Sequence, residues 1–162
     1  MSSSDRRTFL LSTLALAGCG FSPAYAPGGP AERLWGAVRA DDPSDRQGFE
    51  LVERLEERLG RPAAARFDLT YRIATDIDSV GITGENSITR YNLNGRVDFS
   101  LKDHASGQVV TSGRARSFTS WSATGSTVAT LSAEEDASSR LMRILADEIV
   151  THLLATSGRW LK

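Results

Sequence analysis

The chain has 162 residues, with 19 basic and 20 acidic side chains, a formal net charge of −1 and a single cysteine. That balance lacks the strong basic excess of a nucleic-acid binder, so no nucleic-acid partner is expected. One cysteine leaves no second thiol for an intramolecular disulfide, and stability must come from core packing.

The first predicted element is a signal segment. Arg6 and Arg7 form a basic n-region, Thr8 to Ala17 an apolar run, and small residues lead into Cys19. The run is far shorter than the roughly 20 residues a spanning helix needs, and it has the length of a signal-peptide h-region. Leu16-Ala17-Gly18-Cys19 is the pattern of a bacterial lipoprotein signal, in which the Cys19 thiolate takes the lipid. Residues 1–18 are therefore read as signal peptide. The alternative is a free cysteine buried at the end of a short apolar helix. Gly20 stands where an aspartate would retain the protein in the inner membrane, which points to the outer membrane. Arg6-Arg7-Thr8-Phe9-Leu10 also looks like a twin-arginine export signal; an ordinary basic n-region is the preferred reading. No later apolar run is long enough to span a bilayer, so the lipid is the one membrane attachment expected.

Residues 19–30 are read as a lipidated tether, extended because prolines and glycines oppose a helix, and 31–162 as a single domain. Arg33 to Arg39 is predicted as a short strand. The acidic cluster Asp41-Asp42-Pro43-Ser44-Asp45 opens a helix over 44–59. Phe49, Val52, Leu55 and Leu59 form its apolar face, with Glu50, Glu53, Glu56 and Glu57 mostly turned away. Gly60 and Pro62 stop it.

The pattern then changes to a period of two. Phe67, Leu69, Tyr71, Ile73 and Ile77 alternate with polar residues, and after a turn near Gly81 to Gly84 so do Tyr91, Leu93, Val97, Phe99 and Leu101. Asp103 to Gly107 makes a hairpin turn into a third strand, Gln108 to Thr119. Its odd positions are small, which invites close approach of helices on that face. Its even positions carry Arg114 and Arg116 toward the open side. Ser120 to Thr130 reads as a strand end passing into a loop. Ser132-Ala133-Glu134-Glu135 is a capping box for a last helix bearing Leu141, Ile144, Leu145, Ile149 and Leu153 on one face. The tail from Thr156 is expected to be loosely ordered apart from Trp160. The sum is an α+β two-layer sandwich, with two helices on one face of a four-stranded, mostly antiparallel sheet.

No catalytic constellation emerges, and a non-enzyme without cofactors is expected. His104 and His152 lack ligand spacing, so no metal site is expected. The basic residues carry the better hint. Arg72, Arg96, Lys102, Arg114 and Arg116 share the parity of the polar face, and Arg90 begins the second long strand. Arginine forks match phosphate and carboxylate groups, so Arg90, Arg96, Arg114 and Arg116 are the candidate ligand-binding residues. The alternative for each is a solvated face of paired charges. Phe118 and Trp121 fit either a protein interface or a cap on the core.

Leu16-Ala17-Gly18-Cys19-Gly20-Phe21-Ser22-Pro23-Ala24-Tyr25 resembles the Cys-Gly-Phe-x-Pro-x-Tyr opening of the LptE family. Ile88-Thr89-Arg90-Tyr91-Asn92-Leu93 and the stretch from Trp121 to Leu154 are similar to alphaproteobacterial members. Ser22, Ala24 and Ala26 depart from residues that members often carry. The resemblance implies a non-enzymatic outer-membrane lipoprotein, periplasm-facing or inside a barrel lumen. It implies that the protein plugs the large β-barrel LptD, assists its assembly and contacts lipopolysaccharide. By motif, only Cys19 carries a role over. The competing readings are a free periplasm-facing lipoprotein binding a small anionic ligand and, more remotely, a small envelope hydrolase.

Overall fold

The computed structural model describes residues 23–82, 88–123 and 126–161. The signal segment, Cys19 and Thr83-Gly84 of the expected turn lie outside the described residues. The elements are α1 (Pro30–Leu34), β1 (Val38–Ala40), α2 (Arg46–Leu59), β2 (Phe67–Ile82), β3 (Ile88–Asp103), β4 (Val109–Ser122) and α3 (Thr127–Thr156), followed by a 3-10 turn, Ser157–Arg159. The sheet order is β1-β2-β3-β4. β1 runs parallel to β2, and the other pairs are antiparallel. The two-layer α+β architecture is as expected, with three helices rather than two.

The N-terminal segment differs from the expectation. Residues 23–29 fold through successive turns, and Pro30 begins α1 at a position where its missing N–H costs nothing. Arg33 to Arg39 is therefore not a strand. Leu34 ends α1 fully buried, and only Val38–Ala40 pairs with β2.

In α2, the Asp45 side chain accepts from the Gly48 N–H at 2.7 Å, as a helix cap should. The buried stripe is Gly48, Leu51, Leu55 and Leu59. Phe49 is instead 60% exposed and Val52 half-buried, so the apolar arc is rotated from the expected one. Gly48 sets that rotation. A Cβ there would lie 3.1 Å from the Tyr71 hydroxyl and 3.3 Å from Pro43, so the glycine lets α2 sit down on β2. Gly60 closes the helix with φ +76° under the Trp35 ring, where a Cβ would come within 2.8 Å.

α3 is capped by Ser126, whose Oγ accepts from the Ala129 N–H at 3.3 Å. The Ser132 capping box is thus interior to a helix of 30 residues, and Trp121 lies within β4 rather than in a loop. Leu141, Leu145, Ile149 and Leu153 are fully buried, while Ile144 is partly exposed. The small strand positions receive them. A Cβ on Gly95 would lie 2.8 Å from Leu141 Cδ2 and 2.9 Å from Leu145 Cδ1. The core fills the space between these helices and the odd-numbered residues Phe67, Leu69, Leu93, Val97, Phe99 and Leu101. Burying each such side chain contributes roughly 1.5–3 kcal/mol before conformational entropy is counted. The tail is packed, not loose: Trp160 meets Phe67 edge-on at 5.3 Å, and Leu161 is buried.

The layers are unequal in length. Tyr71 marks the N-terminal end of α2, and beyond it β2 runs on with residues 74–80 exposed on both faces. Ile77, expected inward, is consequently 50% exposed.

Candidate functional site: the open sheet face

The even-numbered residues of the three long strands form the face that no helix covers. Register places Arg90 opposite Ser122, Asn92 opposite Ser120, Arg96 opposite Arg116, and Asp98 opposite Arg114. Arg72 lies across from Asp98 on the other side, and Asp68 across from Lys102. The candidate arginines therefore share one face, with Arg96, Arg114 and Arg116 adjacent and Arg90 farther along β3. Cys19 lies outside the described residues.

These arginines are not equivalent. Asp98 accepts from Arg114 Nε and lies 3.3 Å from Arg96 Nε. Arg114 first, then the neighbouring guanidinium groups of Arg96 and Arg116, hold the Asp98 carboxyl below the usual aspartate range. Arg114 therefore has a carboxylate partner, which it shares with Arg96. Among the described residues, Arg90 and Arg116 form no ion pair within 4.0 Å, although the Arg116 backbone N–H donates to Glu148. The Arg116 guanidinium thus stands against Arg96 without an ion-pair partner among the described residues. Arginine forks suit phosphate oxygens, and a pair of them suits a dianion.

Beside this pair lies an open depression of about 520 Å³, lined by Ala74, Asp76, Asn94, Arg96, Arg116 and Phe118. Phe118 is 61% exposed, so it presents an apolar ring next to the guanidinium pair. Trp121 points the other way, buried and stacked on Tyr91 at 5.2 Å, and caps the core. The face has an acidic border that the sequence reading did not single out. Asn94 Nδ2 donates to Asp76 at 2.9 Å and to Asp78 at 2.7 Å. The signal was present as the even parity of both aspartates on β2.

The histidines stand apart. His104 Nδ1 is 2.7 Å from Asp68 at the far end of the sheet, and His152 packs edge-on against Phe99 in the helix layer. Among the described residues, no group of three or more His, Cys, Asp or Glu side chains could hold a metal ion. No described helix is long and apolar enough to cross a membrane.

The family model LptE, lipopolysaccharide-assembly, matches residues 37–153. The chain belongs to the LptE family. That match spans β1 to the last turns of α3, so the open face and its arginines lie within the family's domain. No curated relative matches the chain significantly by sequence. The LptE fold recurs in solved structures of low identity. A candidate lipoprotein from Caulobacter crescentus superposes with a TM-score of 0.63 at 20% identity, covering 80% of this chain and 97% of that one. Rare lipoprotein B from Shewanella oneidensis gives 0.60 at 13% identity, covering 78% and 98%. A minor lipoprotein from Acinetobacter baumannii gives 0.53 at 16%, covering 74% and 89%. These likenesses concern the fold.

Proposed function

We propose that the protein is an outer-membrane lipoprotein, anchored through lipid on Cys19, that plugs and helps assemble an LptD-type β-barrel and contacts lipopolysaccharide in transit. The observation that carries this reading is membership of the lipopolysaccharide-assembly family across residues 37–153. The open face supplies a chemical reason for it. Lipopolysaccharide joins phosphate groups to acyl chains, and Arg96 and Arg116 beside exposed Phe118 offer a partner to each. Arg90 extends the basic character along β3. The role is one of binding and scaffolding and needs no catalytic group.

A direct test is depletion of the chain in its source bacterium. The barrel should then migrate as an unfolded or misassembled species in heat-modifiability gels, and lipopolysaccharide should be lost from the surface. A barrel that assembles normally under depletion would contradict the proposal. Replacing Cys19 by alanine should release the protein from membranes in cell fractionation.

A further inference from the structure

We propose that the pole of the domain where α2 and α3 end is a membrane-contact surface, at which Tyr25 and Trp35 seat in the headgroup region of the bilayer that holds the Cys19 lipid. This orientation depends on the lipid anchor and not on the barrel.

The three tryptophans and three tyrosines of the chain all fall within the described residues, and only Tyr25 and Trp35 are exposed, at 68% and 63%. Both border one open depression of about 510 Å³, which Pro27, Ala31, Glu32 and Arg58 also line. The Tyr25 hydroxyl accepts from Arg58 Nη2 at 2.9 Å, and Arg58 Nη1 donates to Asp147 at 2.8 Å. Arg54 grips the same carboxylate at 3.1 and 3.0 Å. The Ala31 N–H donates to the Ala24 carbonyl at 3.0 Å. Residues 24–31 are thereby fastened to α2 and α3, with the Tyr25 ring held at the surface. The Trp35 ring is set by Gly60, over which it lies.

The charges beside the rings suit a phospholipid surface. Glu32 is engaged, accepting from the Gly28 N–H at 2.6 Å. Arg33 lines the neighbouring depression with Tyr25, Leu154 and Gly158. It is exposed and has no ion pair among the described residues, and the same holds for Arg159, next to Gly158. Tyrosine and tryptophan, each apolar with a polar tip, favour the headgroup level, where arginines reach phosphate oxygens.

The tether decides what covers the patch. From Cys19 to Pro23 the chain spans at most about 14 Å, so the lipid is attached close to the backbone that carries Tyr25. β2 starts at this pole, where Phe67 meets Trp160, and its 16 residues run roughly 50 Å to the hairpin end. The exposed Ile77 and Val80 thus lie several tether lengths from the anchor.

The test is fluorescence quenching at the membrane. The chain is purified in detergent from its source bacterium and reconstituted into vesicles of phosphatidylcholine and phosphatidylglycerol, with or without brominated acyl chains. Subtracting the emission of Trp35→Phe from that of the native chain isolates Trp35. Its emission is expected to be quenched strongly by brominated lipid and weakly by iodide in the water. In the Trp35→Phe background, a tryptophan introduced by Ile77→Trp should show the reverse. A free Cys19 thiol on the purified chain would refute lipidation alone; coupling that thiol to a maleimide phospholipid then supplies the anchor, and the same quenching is read. Trp35 emission open to iodide in the anchored chain would overturn the proposal. So would equal lipid quenching at positions 35 and 77, which would lay the domain along the bilayer.

Discussion

Arg96 of β3 and Arg116 of β4 are direct cross-strand partners on the open face, and of the two guanidinium groups only that of Arg96 forms an ion pair among the described residues, with Asp98 at 3.3 Å. Like charges directly opposite one another destabilise a strand pair, so this arrangement costs stability and favours an incoming anion. Arg116→Gln is expected to raise stability by roughly a few tenths of a kcal/mol in urea unfolding. The same change should weaken lipopolysaccharide binding and flatten its salt dependence. Arg114→Gln should matter less for binding, because Arg114 is already engaged by Asp98. Equal and unchanged affinities in both variants would reduce the arginines to surface charges.

Gly95 is where β3 lets α3 approach. Its missing Cβ would fall within 3.0 Å of both Leu141 and Leu145, each fully buried. Gly95→Ala is therefore expected to destabilise the domain by about 1–3 kcal/mol through overpacking. Leu141→Ala in the same background should cost less than the two single changes added together, because each then relieves the other. Denaturant midpoints of the four proteins give the coupling directly.

The sheet and its open face were legible because a half-covered sheet writes period two into its strands. Small residues on β4 correctly announced close helices. The segments that were misread are short or aperiodic. α1 and the tail are held by tertiary contacts, Leu34 in the core and Trp160 against Phe67, which leave no repeat to detect. Ile77 kept its alternation but lost its cover, because α2 begins at the level of Tyr71. Parity also placed the arginines on one face, yet it did not say that Arg114 is paired and Arg116 is not. That distinction is set by register between strands and by the reach of one carboxylate, Asp98.

The N-terminus of α3 separates two serines of equal local chemistry. Ser126→Ala should cost roughly 0.5–1 kcal/mol, because its Oγ satisfies the Ala129 N–H. Ser132→Ala should be close to neutral, since Ser132 lies inside the helix. The cap of α2 gives a positive control: Asp45→Ala is expected to cost about 1 kcal/mol. Thermal unfolding of the three variants orders them, and a larger loss from Ser132→Ala than from Ser126→Ala would move the helix start.

Asp98 and Asp103 link the fold to acid. Arg114 holds the Asp98 carboxyl below its ordinary 3.8. The Ser106 N–H and hydroxyl lower Asp103 likewise. A carboxyl lowered in the folded state contributes stability that is fully present above its unfolded pKa and is lost as pH falls through the folded one. Stability should therefore decline from roughly pH 5 downward. Asp98→Asn should be less stable than the native chain at neutral pH and show a shallower acid decline. Both groups are only half-buried at the surface, so the difference is small and calls for paired urea titrations at each pH. Parallel curves with a constant offset would show that Asp98 contributes no such linkage.

The central claim is partnership with an LptD-type barrel, and affinity purification from outer membranes solubilised in mild detergent tests it most directly. With a tag at the C-terminus, the chain is expected to bring down one large β-barrel in near-equal amount, and to keep it through size exclusion. Recovery of the tagged chain without any barrel would contradict the claim.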